Sequence, residues 1–287
     1  MKRFLLIALC FSVSAAVMAQ NEGDRKKSDT IRVGGLIIVT NKDKNKEKDN
    51  KNVDITIRKG NKEWDEPKRK RKRSNVKNNW FGVDLGFTNW QDETVYTSAD
   101  AQQMLRPSGT RPAPSAGDFK LRTGKSVNVN VWIFTQRVSL IKHVLNLKYG
   151  IGMELNNFRF KTPLSFKDGN PPTVILDSVS FSKNKLAVDY VTVPLMLNIN
   201  PSGRGGFGIS GGISVGYRYS ARNKQVSDPR GKEREKGDFG LNPWKLAVIG
   251  DIGWSGLRLY GSYSLTNLFE KGLNMTPYSI GLRFSSF

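Results

Sequence analysis

Residues 144–156 read Val-Leu-Asn-Leu-Lys-Tyr-Gly-Ile-Gly-Met-Glu-Leu-Asn. On an extended chain Leu145, Leu147, Tyr149, Ile151, Met153 and Leu155 fall on one face, and Asn146, Lys148, Gly150, Gly152, Glu154 and Asn156 on the other, because strand side chains alternate. This period of two marks a β-strand. The apolar face is unbroken, while the second face mixes glycine with charge.

Seven further segments repeat the pattern: residues 80–90, 126–133, 187–200, 207–220, 244–254, 257–267 and 278–285. The total is even, and the connections alternate in length. Long links at 91–125, 161–185 and 221–243 are separated by short ones at 139–143, 201–206 and 255–256, with a moderate one at 268–275. Long–short alternation between strands of about 10 residues fits an antiparallel transmembrane barrel, with short turns on the periplasmic side and long loops outside. The expected fold is all-β: an eight-stranded antiparallel up-and-down β-barrel over residues 79–287, both termini periplasmic.

A soluble sandwich or lipocalin-like barrel also alternates, but it fills its interior with apolar side chains. Here the apolar face is bounded by aromatics: Trp80, Trp90, Tyr217, Tyr219, Trp244, Trp254, Tyr263, Tyr278 and Phe284. Such residues suit the two interfaces of a bilayer. The opposite face holds Gly, Ser and nearly balanced charges, Asp84, Glu154, Asp189 and Asp251 against Lys148, Arg218, Lys245, Arg258 and Arg283. A barrel of about eight strands has room inside for side chains and little else. Charges there must pair or hold water, so the expected lumen is plugged.

The chain of 287 residues opens with Met1-Lys2-Arg3, an apolar run to Met18, and Ala19 before Gln20, the layout of a secretory signal peptide over residues 1–19. The one cysteine, Cys10, lies inside it, leaving the mature chain without thiol or disulfide. No later window approaches 18 continuous apolar residues, which excludes a mature transmembrane helix but not a barrel. Residues 20–78 form a polar, basic periplasmic leader expected to be mostly disordered, with two β-like stretches, 31–39 and 53–57, that could pair as a small hairpin. The formal charge is +21, most concentrated at Lys68-Arg69-Lys70-Arg71-Lys72-Arg73. In an exported protein that run is a solvated linker or a contact for anionic lipid headgroups, not a nucleic-acid site.

Several features resemble the outer-membrane β-barrel family common in Bacteroidetes, the group with the PorT-like proteins: a signal peptide ending Ala19-Gln20, the Tyr-x-x-x-Pro-Leu pattern in Tyr190, Pro194 and Leu195, the Gly-rich segment 205–219, and a final strand ending in Phe287. Phe287 is off by one from the parity of Tyr278 and Phe284. The resemblance implies insertion by the barrel assembly machinery and leaves open an accessory role in protein secretion.

Little in the sequence points to catalysis. The single histidine, His143, lies in an expected periplasmic turn. There is no HExxH, no Walker loop and no cluster with metal-ligand spacing, so no cofactor is expected. Three readings stay open: a non-enzymatic barrel with structural or surface-interaction roles, a narrow channel for small solutes, and a lipid enzyme for which no convergent residue set is visible.

Overall fold

The computed structural model describes residues 29–33, 36–40, 55–59, 74–202, 206–254 and 256–284. The expected signal peptide (residues 1–19) with Cys10, the run 68–73, residues 203–205 and Phe287 lie outside them. The chain divides into two units at Arg71/Lys72.

In the first unit, strands β1 (Asp29–Val33), β2 (Leu36–Thr40) and β3 (Ile55–Lys59) form an antiparallel sheet in the order β1-β2-β3. Sequence reading expected two stretches; the first is instead a hairpin of two strands. Gly34 and Gly35 separate them in the sequence, the dipeptide type that favours a two-residue turn.

The second unit is a closed barrel. Its eight strands are β4 (Val76–Asp92), β5 (Val127–Ile141), β6 (Leu145–Arg159), β9 (Lys183–Ile199), β10 (Gly208–Ser227), β12 (Trp244–Trp254), β13 (Leu257–Ser264) and β14 (Met275–Phe284). Each pairs antiparallel with its neighbour in the chain, and β14 closes the ring on β4. The turns at one end are short; Lys142 and His143 both take left-handed φ, 44° and 61°, in the β5–β6 turn.

Two irregularities explain why some segments were read short. Around Phe81 (φ 58°) in β4 and Ile133 in β5 the register skips a residue on each strand. Beyond the skip, Trp80 and Phe134 face outward together, their rings 5.0 Å apart. A second bulge between Arg218 and Ser220 flips the parity of β10, which ended the apparent strand early although pairing continues to Ser227.

The long connections are also ordered. The link after β4 carries helix α1 (Ala99–Met104), capped by the Ser98 side chain accepting from the Ala101 N–H. The link after β6 forms a two-stranded sheet, β7 (Leu164–Lys167) and β8 (Thr173–Leu176). The link after β10 returns as β11 (Gly231–Lys236), extending a hairpin above the ring. These segments gather over one barrel mouth around an apolar core that includes Trp90, Leu105, Phe119, Phe160, Phe166, Leu241 and Phe269. Beyond the expected long loops, dispersed apolar residues in the links converge when all four connections fold together.

At the closing seam Gly86 stands opposite Gly281. A Cβ on Gly281 would collide with the Leu85 carbonyl and Gly86 Cα, and one on Gly86 with the Tyr260 hydroxyl. Gly281→Ala is therefore expected to cost about 1–3 kcal/mol, read as a lowered midpoint of the heat-modifiable gel shift. Gly261→Ala is the control, since its Cβ would meet only an ordinary contact with Ser279 O at 3.9 Å; equal losses at both sites would refute the seam argument.

Candidate functional site: a filled lumen beneath a folded cap

Inward-pointing residues of the barrel form one hydrogen-bonded chain from the cap end to the short-turn end. Near the cap, Lys245 pairs with Glu154, which also accepts from Asn156 Nδ2 at 3.0 Å. Asn128 donates to Asn156 at 2.9 Å and accepts from the Tyr260 hydroxyl at 2.5 Å. It also donates to Asn130, which in turn donates to Asp84, each at 3.2 Å. Asp84 is the hub of the closing seam. Arg283, its cross-strand partner, grips it with Nε and Nη2 at 2.9 and 2.8 Å, and Trp132 Nε1 donates to it at 2.8 Å.

The same guanidinium reaches Asp251 through Nη1 at 2.8 Å. Asp251 also accepts from Arg258 Nε at 2.5 Å and Ser210 Oγ at 2.9 Å, with Lys148 Nζ 3.9 Å away. Lys148 donates to Ser210 at 3.0 Å. Asn198 links Ser210 to Asn146, and Asn146 donates to the His143 carbonyl at 3.2 Å. Three carboxylates thus face four cations in a buried interior. Aromatic faces complete the packing: Arg283 lies 5.4 Å from the Trp132 ring and 5.8 Å from the Tyr260 ring. A void of about 20 Å³ remains between Asn128, Trp132, Glu154, Thr192 and Tyr260. One water needs roughly 10–15 Å³ on this measure.

Two residues expected in this network sit elsewhere. Asp189 has the outward parity of Val191 and pairs on the outer face with Arg222, buried to 2% exposure. Arg218 stands at the mouth and pairs with Asp238 of the cap, its Nη2 also donating to the Leu241 carbonyl at 3.0 Å. The asparagines, Trp132 and Tyr260 carry much of the chain, although the sequence assigned only the charged residues to the network. Neutral side chains on a polar face draw no attention there, although Asn128, Asn130 and Asn156 share the parity of the charged residues.

Of the nine aromatics, eight face outward. Trp80, Trp254 and Phe284 lie at the short-turn end, and Tyr217, Tyr219, Trp244, Tyr263 and Tyr278 toward the cap. Rings meet across strands at both levels: Phe207–Trp254 at 5.2 Å and Tyr217–Trp244 at 4.9 Å. Trp90 is corrected. It has the even, inward parity of Asp84 and Thr88, is 8% exposed, and packs 4.8 Å from Phe158 inside the cap core.

Within the cap, Asp177 accepts from Arg230 Nη1 and Nη2 at 2.8 and 3.1 Å, joining the β7–β8 link to the β10–β11 hairpin. Burial alone would raise its pKa, but hydrogen bonds from Arg230 and the Val179 N–H outweigh it and hold the carboxyl below the usual range. The stabilisation is therefore present above about pH 4 and lost as pH falls through the lowered pKa. Proteolysis of the cap by an acid-active protease is expected to rise over that window in the wild type. In Arg230→Gln it should already be raised at about pH 5, with rates at each pH taken relative to cleavage of an unfolded substrate, and vary less with further acid; an unchanged acid response would remove Asp177 as its cause.

A closed ring, an outward face of exposed Val, Leu and Ile between two aromatic levels, and a buried charged interior define an integral membrane barrel. The chain belongs to the outer membrane protein beta-barrel domain family, whose model matches residues 68–270. The protein is therefore placed in the outer membrane. Among curated proteins, none matches the chain.

Proposed function

We propose that the protein is a non-conducting, non-enzymatic outer-membrane barrel, of the PorT-like kind, whose folded cap is its working surface for structural or recognition roles. The observation that carries this reading is the unbroken side-chain chain from Lys245 to His143, roofed by the apolar cap core. A solute path would have to break both. The eight outward aromatics serve as membrane anchors, and the lumen charges hold the ring closed. The cap faces the exterior and both termini the periplasm, which the contrast of short turns and long links supports. The barrel assembly machinery is assigned as the inserting partner, a reading that the barrel fold supports, and the run 68–73 is assigned to the inner-leaflet surface or a solvated linker.

Planar bilayer recording of the purified barrel tests the reading. No steady conductance is expected; stable openings would overturn it in favour of a narrow channel. Protease treatment of intact cells tests the orientation separately, since only an exterior cap is cleaved.

A further inference from the structure

Above the cap-end aromatics the outer face of the barrel changes character. Arg159 on β6 stands opposite Lys185 on β9, Lys185 opposite Lys224 on β10, and Lys224 opposite Arg234 on β11. Four cations from four adjacent strands thus lie in one register row. Directly opposed side chains in an antiparallel pair sit roughly 4.5–5.5 Å apart at Cβ, and like charges so placed destabilise the sheet. Neighbouring rows extend the patch, with Arg222 opposite Lys236 and Lys183 opposite Val226, itself opposite Lys232.

Compensation is sparse. Among the described residues, only Arg222 on this face has an ion pair, with the buried Asp189. Glu233 and Glu235 have the other parity of β11; Glu235 turns to Lys167 of the cap, 2.8 Å away. The position along the strand is informative. Arg222 and Lys224 lie three and five residues beyond Tyr219, about 10–17 Å along a tilted strand. Tyr219 is outward and exposed, its hydroxyl 3.9 Å from Met153 Sδ on the lipid-facing side. A row continuous with a lipid-facing surface, and just above its aromatic level, meets headgroups.

We propose that this row is a binding site for net-anionic, phosphate-bearing lipid headgroups of the leaflet that surrounds the cap end, as opposed to zwitterionic ones. Several phosphates along the row would relieve the repulsion that the bare sheet carries. The assignment to the outer leaflet rests on the orientation given above; the binding chemistry does not.

The test compares wild type with Lys185→Gln/Lys224→Gln in nanodiscs of phosphatidylcholine alone or doped with lipid A. Lipid retention is read by native mass spectrometry and folding by the heat-modifiable gel shift. At the surface contribution expected per basic side chain, the double variant should hold lipid A roughly 30-fold more weakly. Lipid A should raise the wild-type midpoint, with little gain for the variant. In phosphatidylcholine alone the variant should be as stable as the wild type or more so, because repulsion is gone. That reversal also separates lost binding from misfolding. Lys271→Gln, in the cap link before β14, should behave as wild type. Equal retention by wild type and double variant would overturn the proposal. So would the same gain from inorganic phosphate, or from heparin without lipid, either of which would make this an anion site unconnected with the bilayer. A cap located in the periplasm by proteolysis would change the leaflet and leave these results intact.

Discussion

Arg283→Met should lower the stability of the folded barrel by about 3–5 kcal/mol, the usual penalty when one partner of a buried ionic group is removed. The substitution keeps an unbranched apolar stem and removes the guanidinium, so the loss reports its ionic hydrogen bonds together with its contacts to the Trp132 and Tyr260 rings. Two carboxylates share this guanidinium: Asp84 takes two of its N–H groups and Asp251 a third. Asp251 retains Arg258 and Ser210. Asp84 keeps only neutral donors, Trp132 and Asn130, and is the residue left exposed to the cost. The pair also spans the β14–β4 seam, so the same change weakens ring closure. Denaturant titration in detergent, followed by the folded band on gels, measures the effect. Asp84→Asn added to Arg283→Met should recover a substantial part. A loss below about 1 kcal/mol, the scale of a solvated surface pair, would mean that water fills the lumen and the network carries little.

Phe166→Ala should cost a similar amount, about 3–5 kcal/mol, but in a different place. Phe166 is fully buried and lies among Phe160, Phe269 and Phe239 at ring separations of 5.4, 6.1 and 6.4 Å. It joins the β7–β8 sheet to the links before β12 and β14. Truncating it removes the centre of the cap while touching no ring strand. Local opening is governed by local stability, so cleavage by trypsin at Arg106, Lys120 or Lys167 should accelerate by roughly 100-fold or more when opening precedes cutting. The heat-modifiable shift of the barrel should stay within error. Parallel loss of both would show that cap and ring fold as one cooperative unit.

The ring was legible in the sequence because lipid on one side and a narrow lumen on the other impose a strict period of two. Residues 244–254 illustrate it: the expected and observed bounds of that strand coincide. The period failed where strands bulge. At Phe81 and Ile133 the parity slips, hiding the far half of β5 and placing Trp80 outward despite its even number. Asp189 shows a related limit. Its parity pointed outward, yet its charge argued for the interior, and only the Arg222 partner on the next strand resolves the conflict. The cap was invisible for another reason. Its core is assembled from residues of four separate links, such as Met104, Phe166, Leu241 and Phe269, and no local pattern ties them together. The lumen was half legible: charged members stood out, and the asparagines that wire them did not.

The hairpin of β10 and β11 carries one further consequence. Closing the ring removes every free border from the eight barrel strands, but β11 rises past that ring and, among the described residues, pairs on one flank only. An unpaired flank is a template on which another chain can add. Its sequence, Gly-Lys-Glu-Arg-Glu-Lys over residues 231–236, puts a charge at every position after the glycine, so a neighbouring copy stacking there would face five ionised side chains on each chain. Charge at every such position thus works against addition of a second copy along this flank.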